Sequence, residues 1–226
     1  MHTCIDLFAG PGGLGEGFSR AGFELAVSIE KEPVECETLR HRKLYKKLLL
    51  SKDISAALQL ETGEIGFTDF EESHPELIRQ VNDEVAQIEL GRVPFSTVYD
   101  KISKALHNRK SSALILLGGP PCQAYSIVGR ARKVGHTSLE KNPNLLEEFY
   151  KDQRHTLYKE YLKVLSVFSP EIFIMENVKG ILSARTNPDA KAGSVIEKIF
   201  ADLRAPAKSV MEDQKFTDEI KRLNIK

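Results

Sequence analysis

Short apolar segments alternate with segments of helical periodicity along most of this sequence. We predict strands at Thr3–Ala9, Phe23–Glu30, Ala113–Leu117 and Glu171–Val178. These segments are apolar without strict alternation, which indicates strands buried on both faces. Because a parallel sheet covered by helices buries both faces, we predict an α/β doubly wound fold.

Helical patterns fill most of the intervals between these strands. We predict helices at Leu14–Gly22, from Pro33 to about Tyr45, and at Arg154–Phe168, where Pro170 stops the pattern. Residues 55–112 interrupt the alternation with a polar and mainly helical insertion. The tail, Lys208–Lys226, has the pattern of a charged amphipathic helix.

The composition limits the classes of protein to which the chain can belong. Its 226 residues are 41% hydrophobic and 28% charged, which is typical of a folded globular protein. We expect no membrane association and a cytoplasmic location, because no apolar run reaches the ~20 residues of a membrane span and no signal peptide is recognisable. The three cysteines lack metal-ligand spacing, so we expect neither a disulfide framework nor a bound metal.

The formal net charge is zero, with 32 basic and 32 acidic residues. This balance is weak evidence against a nucleic-acid partner, since phosphate binding normally goes with a basic excess. The basic residues are nevertheless clustered, as in Gly129–Lys133. A solvated loop is the alternative interpretation of that run.

The first strand leads into a glycine-rich corner, "DLFAGPGGLGEGF" (Asp6–Phe18). Ligands of open α/β sheets bind at the carboxyl ends of the strands, and glycines let the backbone approach them closely. The glycine spacing differs from the GxGxxG of dinucleotide sites. Glu30 ends the second strand, where an acidic residue can accept ribose hydroxyls; a solvent-facing carboxylate is the alternative.

Two further strand ends carry reactive side chains. The sequence "GGPPCQAYS" (Gly118–Ser126) places Cys122 beyond a strand end, where a helix start would favour the thiolate. The alternative is a small buried hydrophobic residue, the commonest role of a free cysteine. In "MENV" (Met175–Val178), Glu176 and Asn177 lie at the end of the next predicted strand, where they could serve acid-base chemistry or cap a helix.

In this order, the three stretches resemble motifs I, IV and VI of the cytosine-C5 DNA methyltransferases. Glu30, "KDI" (Lys52–Ile54) and Arg154–Leu165 resemble motifs II, III and V, so the resemblance covers residues 3–182. It implies a mostly parallel, Rossmann-like methyltransferase fold and S-adenosylmethionine as the methyl donor. It also implies double-stranded DNA as the substrate, within a restriction-modification system.

The resemblance implies roles for individual residues. Cys122 would add to C6 of a cytosine flipped out of the duplex, Glu176 would protonate N3 with a pKa raised by burial, and Asn177 would orient Glu176. The residues implied at the donor site are Phe8, Ala9, Gly10, Pro11, Gly12, Gly13, Leu14, Glu30, Asp53, Ile54, Pro120 and Leu157. Those implied at the DNA are Gln123, Ser126, Arg130, Arg132 and Lys133. Lys52 stands where glycine is usual, which makes the role of Asp53 less secure.

After Val178 we find no counterpart of the family's motif VIII, target-recognition region, or motifs IX and X. We therefore expect residues 1–226 to form a partial catalytic domain. The remainder would lie in a C-terminal continuation or a second chain, and the chain alone would have weak or no activity.

Three other functions remain open at this point. A tRNA cytosine-C5 methyltransferase would share the fold and the motifs but need little recognition region. A non-catalytic S-adenosylmethionine-binding remnant or regulatory subunit would fit the missing C-terminal motifs, although Cys122, Glu176 and Asn177 are all present. A nicotinamide oxidoreductase is disfavoured by the glycine spacing.

Overall fold

The computed structural model describes residues 2–107, 109, 112–121, 157–186 and 189–225. The chain divides into two compact units. The first consists of residues 1–93 and 97–117, and the second of residues 94–96 and 118–226.

The first unit is built on parallel strands. Strands β1 (Thr3–Leu7), β2 (Glu24–Glu30), β3 (Val85–Gln87) and β4 (Leu114–Gly118) lie in the order β3-β2-β1-β4. Strand β2 runs parallel to both β1 and β3. All five residues of β1 are buried, as the unalternating apolar pattern predicts. The doubly wound α/β prediction is confirmed.

Helices connect these strands: α1 (Gly13–Arg20), α2 (Pro33–Leu50), α3 (Ile54–Thr62), α4 (Phe70–Ser73), α5 (Pro75–Glu84) and α6 (Phe95–Leu106). Helix α2 extends five residues past the predicted end at Tyr45. Its last turns bury Leu44 and Leu48 in a core cluster that also contains Phe70 and Val81. This packing keeps the C-terminal half of α2, which is rich in basic residues, in helical conformation.

The stretch 55–112 contains the expected helices and also β3, which the sequence analysis did not predict. Strand β3 has only three residues, so it shows no periodicity of its own. It forms because Ser28, Ile29 and Glu30 of β2 pair with Val85, Ala86 and Gln87. The stretch therefore supplies a strand to the sheet as well as helices.

The second unit contains the end of β4, then α7 (Tyr158–Phe168), β5 (Ile172–Met175), α8 (Ser194–Arg204), α9 (Pro206–Val210) and α10 (Gln214–Arg222). At the end of β5, the Glu176 amide donates a hydrogen bond of 2.9 Å to the Gly118 carbonyl. Three apolar residues of β5 are exposed: Ile172 by 52%, Phe173 by 40% and Ile174 by 36%.

The tail forms two helices, so the expectation of a single helix over Lys208–Lys226 is wrong. A break at Met211–Asp213 separates α9 from α10. The Asp213 carboxylate caps α10 by accepting a hydrogen bond from the Phe216 amide, and it also pairs with Lys163 at 2.9 Å. Because Lys163 also holds the Asp213 side chain, its capping contact starts a new helix at this position.

None of the described helices is long and apolar enough to cross a membrane.

Candidate functional site

The glycine-rich corner at the end of β1 contains three residues in the left-handed region. Phe8 has φ +55°, Gly10 +54° and Gly12 +90°. Gly12 caps α1 and donates its amide to the Ala9 carbonyl at 3.0 Å. For a bulky residue such as Phe8 this conformation is rare, and strained backbone of this kind clusters at functional sites. The turn at Phe8 also ends β1 at Leu7, two residues before the predicted end.

Glu30 joins this corner to the end of β2. Its Oε2 accepts a hydrogen bond from the Gly10 amide at 2.8 Å, and its Oε1 accepts from the amides of Lys31 and Glu32 at 2.7 and 2.9 Å. Glu30 is only 8% exposed, so the alternative of a solvent-facing carboxylate is wrong. A carboxylate has about four acceptor positions, which leaves one for a ligand hydroxyl.

Further carboxylates make the corner acidic. Glu32 and Glu35 follow Glu30, and a Cβ on Gly10 would lie 3.1 Å from the Glu35 Oε2. Loss of hydration raises the pKa of Glu35, and the neighbouring charges of Glu30 and Glu32 raise it further. Glu32 pairs with Lys31 at 3.0 Å, and the remaining negative charge of Glu30 and Glu35 favours cations and hydroxyl donors over phosphates.

The glycines of the corner differ in what surrounds them. A Cβ on Gly12 would meet the Leu39 Cδ2 at 2.6 Å, and one on Gly15 would meet the Asp6 Oδ2 at 2.7 Å. These two glycines are therefore required by packing. A Cβ on Gly13 would have nothing within 4 Å. The fold itself thus leaves open space at the first residue of α1, where helix amides lack intrahelical partners.

Asp53 caps α3 and has both carboxylate oxygens engaged. Its Oδ1 accepts from the Ala56 amide at 3.1 Å, and its Oδ2 lies 3.1 Å from the His74 Nε2. The amide, followed by the His74 contact, lowers the pKa of Asp53. Lys52 has φ +64°, which explains why glycine suits this position in the family, and the adjacent Ile54 is 52% exposed.

His74, which contacts Asp53, is a residue that the sequence analysis did not single out. It lies 21 residues after Asp53, in the mainly helical stretch that no motif covers. No local sequence signal links the two residues, since their contact depends on how α3, α4 and α5 pack.

In the second unit, the structure brings the "GGPP" and "MEN" stretches together. The Asn177 Nδ2 donates to the Pro120 carbonyl at 3.3 Å, and its Oδ1 accepts from the Val178 amide at 3.0 Å. A Cβ on Gly119 would lie 3.2 Å from the Glu176 Oε2. Pro120 is buried, whereas Glu176 is exposed. Asn177 thus ties the end of β5 to the residues that precede Cys122.

Several predicted site residues lie outside the described residues: Cys122, Gln123, Ser126, Arg130, Arg132 and Lys133. Leu157 is described and half-buried, immediately before α7. The other two cysteines, Cys4 and Cys36, are free and fully buried.

A parallel α/β sheet with a glycine corner after β1 and a carboxylate ending β2 defines the Rossmann-like class of proteins that bind nucleoside-containing ligands. Within that class, the chain matches the C-5 cytosine-specific DNA methylase family over residues 2–65 and 95–203, more than half of its length. The chain belongs to this family, and the prediction of the family from motifs I, IV and VI is confirmed.

Several curated relatives are type II methyltransferases. The chain is 32% identical to M.Bpa9945I of Bacillus paralicheniformis over 86% of this chain and 43% of the relative. It is 30% identical to M1.HphI of Haemophilus parahaemolyticus over 78% of this chain and 32% of the relative. It is 25% identical to M.AquIA of a Picosynechococcus species over 97% of this chain and 63% of the relative. The chain therefore spans less than two thirds of each of these relatives.

Proposed function

We propose that the chain carries the donor site and the catalytic residues of an enzyme that methylates C5 of cytosine in double-stranded DNA, within a restriction-modification system. The observation that carries this proposal is the contact of Asn177 with Pro120, together with that of the Glu176 amide with Gly118. These bonds hold the "MEN" carboxylate beside the segment that leads into Cys122. The family match covers both stretches.

The proposed methyl donor is S-adenosylmethionine, and the acidic corner fits it. The donor carries a positive sulfonium and two ribose hydroxyls but no phosphate, so it suits Glu30, Glu32 and Glu35 better than a dinucleotide does. The remaining acceptor position of Glu30 is available to a ribose hydroxyl. The proposed donor contacts are Phe8, Ala9, Gly10, Pro11, Gly12, Gly13, Leu14, Glu30, Asp53, Ile54, Pro120 and Leu157.

Replacing Gly13 with alanine tests the donor site. Because a Cβ there meets no protein atom within 4 Å, Gly13→Ala is expected to leave the melting temperature unchanged or slightly higher. The added methyl group would enter the space proposed for the donor, so we expect binding of S-adenosylhomocysteine to weaken about 10-fold or more. Isothermal titration calorimetry of the full chain measures this.

Gly17→Ala is the matched control for Gly13→Ala, because Gly17 lies in the same helix, is exposed and also has nothing within 4 Å of its Cβ position. We expect Gly17→Ala to bind the ligand as the unmodified chain does. Equal affinities of both variants and the unmodified chain would contradict the assignment of the donor to this corner.

Cytosine C5 becomes a nucleophile only after the ring loses its aromaticity. In the proposed reaction the Cys122 thiolate forms a bond to C6, while Glu176 donates a proton to N3 and so neutralises the developing charge. The bound donor supplies the methyl group that C5 then takes. Loss of the C5 proton to a base, elimination of the thiolate and return of the N3 proton to Glu176 restore the aromatic ring, and the demethylated donor leaves as S-adenosylhomocysteine. Glu176 is exposed in this structure, so the burial expected from the resemblance is absent among the described residues.

The proposed DNA contacts are Gln123, Ser126, Arg130, Arg132 and Lys133, of which the three basic residues suit phosphates. They would act on a duplex from which the target base has been flipped.

We propose that residues 1–226 form a partial catalytic domain, with target recognition carried by a C-terminal continuation or by a second chain. Two observations support this. The relatives extend well beyond the part that this chain matches, and Ile172, Phe173 and Ile174 of β5 are exposed. Exposing apolar side chains to water costs free energy, and this cost falls when further polypeptide covers them.

Trapping on duplex DNA that contains 5-fluorocytosine tests the proposed function. Fluorine at C5 cannot leave as a proton does, so the enzyme is expected to stall as a covalent complex after methyl transfer. The chain is assayed alone and together with the part of M.Bpa9945I that lies outside the matched region. We expect an adduct that depends on donor and DNA in the mixture, and little or none with the chain alone.

Two outcomes of the trapping assay would contradict these proposals. Robust methylation by the chain alone would show that no further polypeptide is needed. Tight donor binding without an adduct, in a mixture where intact M.Bpa9945I forms one, would favour a regulatory role. Substituting tRNA for DNA in the same assay tests the RNA alternative.

A further inference from the structure

The contact between His74 and Asp53 goes beyond the roles that the family motifs assign, and its interpretation rests on the donor site proposed above. The Asp53 Oδ1 accepts a hydrogen bond from the Ala56 amide at the start of α3. The other oxygen, Oδ2, lies 3.1 Å from the His74 Nε2. His74 thus contacts the carboxylate oxygen that the helix start does not hold.

His74 is held by other contacts as well. Its Nδ1 lies 2.9 Å from the Ser73 Oγ, and its ring packs against that of Phe70 with the centroids 5.4 Å apart. Phe70 is 1% exposed and belongs to the core cluster of α2, α3 and α5. The ring of His74 is therefore anchored on the core, while its Nε2 reaches Asp53.

In a neutral imidazole, these contacts fit the tautomer that carries its hydrogen on Nε2. A hydrogen on Nε2 donates to the Asp53 carboxylate, and the bare Nδ1 accepts the Ser73 hydroxyl. The carboxylate is then fixed at both oxygens. Each carboxylate oxygen has two acceptor positions, so the Oδ2 keeps one for a further donor.

We propose that His74 is a positioning residue that orients the Asp53 Oδ2 to accept the adenine amino group of the methyl donor. His74 lies in residues 66–94, which fall between the two stretches matched to the family. The role proposed for His74 therefore rests on contacts in this structure and not on the family match. The competing possibility is that His74 occupies the place of the adenine amino group, and it predicts the opposite effect of removing the ring.

Calorimetric titration of the full chain with S-adenosylhomocysteine and with its deaminated analogue, S-inosylhomocysteine, tests this proposal. The analogue has a carbonyl where adenine has the amino group, so it cannot donate to Asp53. We expect the unmodified chain to prefer the adenine form, and His74→Ala to bind that form about 5- to 10-fold more weakly, as for loss of one charge-assisted hydrogen bond. Binding of the inosine form should stay unchanged, so the preference shrinks.

Two further variants make the result specific. His74→Gln retains an N–H donor that can reach Oδ2, and we expect it to restore most of the preference. His41→Ala removes another histidine of the same unit that packs on a phenylalanine, Phe67, at 5.6 Å. This control should bind both ligands as the unmodified chain does, with melting temperatures measured for all variants.

The outcomes separate the two proposals. If the unmodified chain and the Gly17→Ala control bind neither ligand, the donor site itself is wrong. If the unmodified chain binds and prefers the adenine form, but His74→Ala keeps that preference or binds more tightly, the donor site stands and the positioning role of His74 is wrong.

Discussion

A Cys122→Ser variant, assayed with the part of M.Bpa9945I outside the matched region, is expected to form no covalent adduct with 5-fluorocytosine DNA and to methylate at least about 10⁴-fold more slowly, as other enzymes do without their nucleophile. A serine hydroxyl is far less acidic than a thiol and lacks the general base that would activate it. Donor binding by the variant should be unchanged, because the reaction fails at addition to C6. Mass spectrometry of the trapped complex and incorporation of labelled methyl groups measure the two effects.

The other two cysteines make this prediction specific to Cys122. Cys4 and Cys36 are 0% exposed. Burial raises the pKa of Cys4 to about 11, with a further contribution from Asp6, and burial also raises the pKa of Cys36. Both thiols therefore stay protonated and inaccessible at neutral pH.

Cys36→Ser is the matched control. The Cys36 Sγ donates to the Glu30 carbonyl at 3.4 Å, and a serine hydroxyl can make the same bond. We expect this variant to keep the adduct. An adduct that survives in Cys122→Ser, or is lost equally in Cys36→Ser, would contradict the assignment of the nucleophile.

The second large effect is expected at Asp6, which is buried under the glycine corner. Its side chain is 1% exposed and contacts Gly15 of α1. Within the part of the chain that the structure describes, its Oδ2 has no hydrogen-bond partner, and neither has the Oγ of Ser28, its neighbour on β2. Both line a cavity of about 400 Å³ together with Lys43.

Burial makes the Asp6 carboxyl a weak acid. Desolvation raises the pKa of Asp6 to about 7, the charge of Lys43 opposes the rise, and that of Glu30 adds to it. In the unfolded chain the same group ionises near its usual 3.8. Between these two values unfolding releases a proton, so the free energy of unfolding falls as the pH rises from about 4 to about 7.

Asp6→Asn is therefore expected to change stability in a pH-dependent way. Relative to the unmodified chain, the free energy of unfolding of the variant should increase by about 2 to 3 kcal/mol between pH 5 and pH 8. Urea denaturation at both pH values measures this difference. Ser28→Ala is the control, because it removes a neighbouring buried polar group that does not titrate in this pH range. Parallel pH profiles of Asp6→Asn and the unmodified chain would show that Asp6 is already ionised at pH 5.

The sequence predicted the site best where the chemistry is local. The glycine corner and Glu30 follow directly from residues next to strand ends, and they meet through the bond between the Gly10 amide and Glu30. Likewise, the "GGPP" and "MEN" stretches each end a predicted strand, and Asn177 joins them. In parallel strands the carboxyl ends share one edge, so the meeting of such residues is expected.

Prediction from the sequence was incomplete or wrong where the structure depends on residues far apart in the chain. Strand β3 exists because β2 offers it a hydrogen-bonding edge. The final turns of α2 are fixed by the core cluster around Leu44 and Leu48. Phe8 was read as part of a strand, yet the turn that brings Ala9 to the Ile29 carbonyl holds it at φ +55°.

By itself, the sequence determined the family and the parallel α/β fold, because apolar periodicity and short motifs are properties of neighbouring residues. Only the tertiary structure decided the environment of each group: Glu30 buried against three amides, Asp6 without a partner for its Oδ2 among the described residues, and Asp53 held by His74. The physical reason is that hydration and hydrogen-bond partners, which set the pKa and orientation of a side chain, come from elements far apart in the chain.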